Sequence, residues 1–125
     1  MAECNLIFGW LWVLVGFMGG AVIGLFFYDS QWLGGYSAWP RRMVRLGHIS
    51  FLGTGLLNLA FVFSVDHWNL AAAPRLASYL LIVGAVTMPS VCFLSAWHDA
   101  WRHAFFIPVG ALIVAAGQLL AMGLL

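Results

Sequence analysis

Histidines are the residues of this chain whose side chains could do chemistry within an otherwise apolar sequence. There are four of them, namely His48, His67, His98 and His103. Neutral imidazole is a common metal ligand, and it also takes the axial positions of haem iron. An ionisable side chain at membrane depth costs at least about 2.5 kcal/mol, so each one found there is a hypothesis of function.

The composition places these histidines in a membrane protein. The chain has 125 residues, of which 64% are hydrophobic and only 7% are charged. Soluble domains carry about 25% charged residues, and a domain this short cannot bury such a surplus of apolar side chains in one core. The formal net charge of +1 leaves no basic face for a nucleic acid. We therefore expect an integral membrane protein that does not bind nucleic acid.

The few charged residues separate long apolar runs. A transmembrane helix needs about 20 mainly apolar residues, whereas the strands of a membrane barrel are shorter and alternate in polarity. The sequence predicts transmembrane helices over 5–28, 43–65, 76–97 and 103–125, within one membrane domain over 1–125. Because short connections make successive helices antiparallel, we expect an all-α, up-down-up-down four-helix bundle.

The arginines indicate how this bundle is oriented. Four of the five fall in or beside the first and third connections, namely Arg41, Arg42, Arg45 and Arg102. Only Arg75 falls on the opposite side. Cytoplasmic connections carry an excess of basic residues. The sequence therefore predicts a multi-pass protein of the bacterial inner membrane with both termini on the periplasmic side.

The alternating topology predicts that three histidines lie on one side of the membrane at similar depth. Two imidazoles from facing helices can hold both axial positions of one haem iron. We expect His48 and His103 to be these ligands, with His98 as the substitute for either. Small residues beside a ligand make room for the flat macrocycle, and Gly55 is a candidate for that role on the helix of His48.

Cations at the same level complete the predicted haem site. The haem propionates need positive partners, for which Arg45 and Arg102 are placed. The arrangement resembles the general plan of small membrane b-type cytochromes, which are four-helix bundles with bis-histidine haem, although this chain does not place two ligands on one helix. The resemblance implies an electron-transfer protein or subunit with haem b near the cytoplasmic face. Its partners would be quinone or neighbouring redox subunits.

Two other interpretations of the same histidines stay open. In one, His48, His98 and His103 hold a copper, zinc or iron ion, because three imidazoles suffice for such a site. In the other, the histidines are polar residues of the membrane interface that reach water or lipid phosphate. Neither interpretation needs a haem.

A stripe of small residues suggests a function of a different class. Gly16, Gly20 and Gly24 follow one another at a spacing of four on helix 1. Such spacing puts them on one helix face, where another helix can approach closely. The stripe either packs inside the bundle or docks the chain onto a larger membrane complex. The second possibility predicts a cofactor-free accessory subunit in a homo- or hetero-oligomer.

Several catalytic patterns do not occur in the sequence. It contains neither CxxC nor CxxCH, so nothing indicates a thiol oxidoreductase or a covalent c-type haem. Nor does it contain a glycine-rich phosphate loop or paired carboxylates. Cys4 and Cys92 fall at different depths of the predicted bundle, so we expect no disulfide between them.

Overall fold

The computed structural model describes residues 2–125, and all regular secondary structure over that range is helical. The four long helices are α1 (Ala2–Gly24), α2 (Trp39–His67), α3 (Arg75–Trp97) and α4 (Phe106–Leu124). Short 3-10 segments occupy Trp32–Gly34 and Asp99–Phe105. Each long helix, α4 together with its 3-10 lead-in, is long and apolar enough to cross a membrane. By the length and composition of its helices, the prediction of a multi-pass protein with four apolar helices is confirmed.

Two helix ends differ most from the predicted bounds, the start of α2 and the end of α1. α2 begins at Trp39 rather than at residue 43, with Pro40 in its first turn. Proline is tolerated there because the first N–H groups of a helix have no partner within the helix. α1 ends at Gly24, and the apolar run continues through residues 25–28 as hydrogen-bonded turns. The limits of an apolar run are therefore not the limits of the helix. The helix ends depend on the backbone hydrogen bonds and on residues such as Pro40.

The helices pack in chain order. α2 lies against α1 and α3, and α3 also lies against α4. Within residues 2–125, α1 meets α3 only slightly and shares no extensive interface with α4. In the candidate spans, 17% of α1 and 11% of the α4 span are buried, compared with 39% in each of α2 and α3. α1 and α4 are therefore the most exposed helices.

Side-chain contacts show which helix ends lie together. The indole N–H of Trp39 donates a 2.8 Å hydrogen bond to the carbonyl of Ser95, which joins the start of α2 to the end of α3. At the other end, a Cβ added at Gly123 would lie 2.7 Å from the ring of Trp68. Ala2 lines a cavity there with residues of the α2–α3 connection. Both ends of the described chain therefore lie at the end of the bundle that carries this connection.

Glycines set the close approach of α1 to α2. A Cβ added at Gly9 would lie 2.8 Å from Leu59, and one at Gly16 would lie 2.7 Å from Leu52. Gly24, the last residue of the predicted stripe, has no atom within 4 Å of an added Cβ. The first part of the glycine stripe thus packs inside the bundle. Its surface is not free to dock a partner.

Candidate functional site

His48 lies on α2 with its imidazole against α1. A Cβ added at Gly20 would come within 2.5 Å of His48 Cε1 and 2.9 Å of Nε2. The ring therefore fits between the helices because residue 20 has no side chain. His48 Nδ1 is buried and has no hydrogen-bond partner within residues 2–125. A buried polar group without a partner costs about 1–3 kcal/mol, so this nitrogen lacks the hydrogen bond that a buried polar atom normally makes.

The residue before His48 fixes α2 from its other side. A Cβ added at Gly47 would lie 3.0 Å from the ring of Phe93 and 3.2 Å from Cys92 Cβ. Cys92 is a buried, free thiol on α3. At this level α2 is therefore held between α1 and α3. His48 packs against Gly20 of α1, and Gly47 packs against α3.

The other predicted ligands lie in the connection between α3 and α4. His98 and His103 are both exposed. The Nδ1 atom of His98 accepts a 3.3 Å hydrogen bond from the backbone N–H of Ala100 and lies 3.8 Å from a carboxylate oxygen of Asp99. His67 is exposed at the end of α2. All three imidazoles are therefore accessible to solvent, and that of His98 is held by its hydrogen bond from Ala100.

The structure does not assemble the predicted ligand sets. Within residues 2–125 no group of three His, Cys, Asp or Glu side chains could hold a metal ion, so His48, His98 and His103 do not form a three-ligand site. The segment Asp99–Phe105 packs on α3 and α4, whereas the imidazole of His48 faces α1. The described contacts therefore do not bring His48 and His103 together.

Gly55 does not provide space beside His48. A Cβ added there would lie 3.1 Å from the carbonyl oxygen of Gly9 and from the side chain of Val13. The space left by Gly55 is thus filled by α1, because the two backbones approach each other at this level. This glycine serves helix packing and not the accommodation of a macrocycle.

The two predicted propionate partners are engaged differently. Arg102 Nη1 forms a 3.0 Å ion pair with Asp99 in the exposed connection. The guanidinium of Arg45 lies 3.9 Å from the ring centroid of Tyr36, and its Nη2 donates a 3.3 Å hydrogen bond to the carbonyl of Tyr36. Stacking on an aromatic face leaves other guanidinium donors free. Arg45 therefore keeps binding capacity for an anion.

A buried polar network joins three helices at the opposite end of the bundle. Asn5 Nδ2 donates to Asn58 Oδ1 at 2.7 Å and to the carbonyl of Ser78 at 3.2 Å. The hydroxyl of Ser78 donates to Asn5 Oδ1. Both amides are fully buried. The sequence motifs assign no role to Asn5, although an amide within an apolar run is a signal for such a network. Because these groups satisfy one another, the network is structural.

Arg41 holds the α1–α2 connection. It is only 4% exposed, although it is one of the arginines used to orient the bundle. Its guanidinium donates to the carbonyls of Phe27 and Asp29 at 3.1 and 2.9 Å and lies 5.0 Å from the Phe27 ring centroid. These contacts fix the connection to the first turn of α2. Arg41 is therefore a structural residue.

Comparison of the chain with protein-family models, with curated proteins and with solved structures finds no match. The assignment of a function therefore rests on the side chains themselves. Among the imidazoles, only that of His48 is partly buried at a helix interface and has a buried nitrogen without a partner in the described part of the chain.

Proposed function

We propose that this chain is a small electron-transfer protein or subunit of the bacterial inner membrane that binds one haem b through His48. The observation that carries the proposal is the buried, unpartnered Nδ1 of His48 beside Gly20. Buried polar side chains at the opposite end of the bundle, such as Asn5 and Asn58, satisfy one another, so their burial has a structural explanation. The nitrogen of His48 has none within residues 2–125.

The second axial ligand in this proposal is His103, with His98 as its substitute. Both lie at the end of the bundle where α2 begins, and both are exposed. Arg102 remains a candidate partner of a propionate, since its ion pair with Asp99 is exposed and such pairs contribute at most about 1 kcal/mol. Coordination would therefore require these exposed residues to rearrange around the haem.

When bound, the haem supplies one-electron transfer. The chain's part is to ligate the iron, and its axial ligands and their surroundings set the reduction potential. The electron partners in this proposal are quinone or a neighbouring redox subunit. The arginine distribution supports a cytoplasmic position for the histidine-bearing end, with both termini in the periplasm. The test is a reduced-minus-oxidised absorption spectrum of the purified full chain, in which the absence of a haem band refutes the proposal.

A second candidate function is that of a cofactor-free accessory subunit. The observation that favours it lies on α4, where Gly110 and Gly117 have no atom within 4 Å of an added Cβ. They continue with Val114 and Ala121 as an exposed stripe at helical spacing. Small residues on an exposed helix face allow a second helix to approach closely. Because Gly16 and Gly20 pack inside the bundle, the docking surface in this proposal is α4 and not helix 1.

The two candidates differ in a measurable way. An accessory subunit that docks through α4 loses its association when Gly117 is replaced by leucine, and it carries no haem band. Blue native electrophoresis of mildly solubilised membranes measures the association. A single small species for both the wild type and the Gly117→Leu variant refutes the accessory proposal.

A further inference from the structure

A groove of about 510 Å³ lies on α2 near its first turns, and His48 does not line it. It is lined by Tyr36, Arg42, Met43, Arg45, Leu46 and Ile49. Ile49 is 60% exposed and Leu46 is 42% exposed, so neither α1 nor α3 covers this face of α2. The groove thus combines two cationic side chains with an apolar floor.

The cations of this groove have no anionic partner in the described part of the chain. There, the ion pairs within 4.0 Å are those of Asp99 with His98 and Arg102. Arg42 is exposed, and Arg45 is positioned over the ring of Tyr36. A guanidinium has five N–H donors, and Arg45 uses one of them on the carbonyl of Tyr36. The groove therefore presents donors and positive charge to an anion from outside the chain.

An apolar track continues from the groove along α2. Ile49 is followed by Gly53, where an added Cβ would meet no atom within 4 Å, and then by the exposed side chains of Leu56 and Leu57. Residues three and four apart lie on one face of a helix. The track thus runs from the arginines toward the middle of the membrane-spanning segment, with a shallow furrow at the glycine.

We propose that this groove binds an anionic phospholipid, with Arg42 and Arg45 on the phosphate and one acyl chain along Ile49 and Gly53. Planar guanidinium groups match phosphate oxygens in pairs, and basic residues beside a membrane helix attract anionic lipids. A free anion would use the arginines but not the apolar track. The inference is independent of haem binding at His48, and it assigns Arg45 to a lipid phosphate instead of a haem propionate.

Native mass spectrometry of the full chain in a neutral detergent tests this proposal. Phosphatidylglycerol and phosphatidylcholine with the same acyl chains are added at equal concentration to the wild type and to Arg42→Gln/Arg45→Gln. We expect the wild type to retain phosphatidylglycerol preferentially and the double variant to lower that occupancy about tenfold. Arg75→Gln removes one arginine at the other end of the bundle and is the charge-matched control for Arg42→Gln alone; it should leave the occupancy unchanged.

Specific results would overturn the lipid site. The first is equal retention of both lipids by the wild type, and the second is an undiminished phosphatidylglycerol occupancy in the double variant. The third is displacement of the lipid by millimolar inorganic phosphate, because that result would indicate a free-anion site. Arg42→Gln alone keeps the contact of Arg45 with Tyr36, so it tests the site even if the double variant misfolds. Unchanged phosphatidylglycerol occupancy in this single variant also contradicts the proposal. The variant Arg42→Lys/Arg45→Lys keeps both positive charges and should retain most of the lipid binding.

Discussion

The imidazole of His48 occupies the space left by Gly20, since a Cβ at residue 20 would come within 2.5 Å of His48 Cε1. The two residues lie on different helices, and their contact helps to set the distance between α1 and α2 at this level. The ring is partly buried by this contact, and its Nδ1 has no partner in the described chain. The central proposal depends on this relationship.

Replacing Gly20 with alanine should destabilise the protein. The new methyl group forces either the imidazole or α1 to move, and overpacking of this kind costs about 1–3 kcal/mol, which exceeds the gain of up to about 1 kcal/mol from the better helix propensity of alanine. The measurement is thermal unfolding in detergent. Gly24→Ala is the matched control, because an added Cβ there meets no atom within 4 Å. Equal unfolding temperatures for the two variants would contradict the contact.

Removal of the Asn5 side chain should also lower stability. Asn5→Ala removes the interhelical bonds to Asn58 and Ser78, and such bonds in membrane proteins contribute about 0.6 kcal/mol each. We expect a total loss of about 1–2 kcal/mol. Ser90→Ala is the control, because the exposed Ser90 hydroxyl donates to Val86 within its own helix. The prediction fails if chemical unfolding in mixed micelles gives the same free energy for both variants.

Arg41 should determine the order of the α1–α2 connection. Arg41→Gln removes charge-assisted hydrogen bonds to the carbonyls of Phe27 and Asp29, each of which contributes about 1.5–3 kcal/mol. We expect faster amide hydrogen exchange over residues 25–38. Arg42→Gln, which changes the neighbouring exposed arginine, should leave the exchange unchanged. Similar exchange in the two variants would show that Arg41 does not hold the connection.

Two glycines on neighbouring helices should respond differently to substitution. Gly84 on α3 has Leu112 within 2.6 Å of an added Cβ, whereas Gly117 on α4 faces open space. Gly84→Ala should lower the unfolding temperature, and Gly117→Ala should leave it unchanged or raise it slightly, because alanine favours helix by up to about 1 kcal/mol. A large loss of stability in Gly117→Ala would show that α4 packs on that face in the monomer.

The sequence predicts the four helices because each apolar run is long enough to span a membrane. It also indicates correctly that the helix carrying His48 starts at the same end as His98 and His103, since chain order fixes which end of the bundle each residue occupies. It does not predict the direction in which each side chain points around its helix. Nearly every face of α1 and α4 is apolar, so periodicity contains little information about helix rotation. For this reason the expected pairing of His48 with His103, and the space expected at Gly55, could not be checked from the sequence.

The most direct test of the central claim is the reduced-minus-oxidised absorption spectrum of the full chain, purified from cells supplied with a haem precursor. We expect a b-type α-band in the wild type, its loss in His48→Ala, and its retention in His67→Ala, which changes an exposed histidine at the other end of α2. Circular dichroism of each variant confirms that it is folded. A wild-type spectrum without a haem band, or a band of full intensity in folded His48→Ala, would contradict the claim.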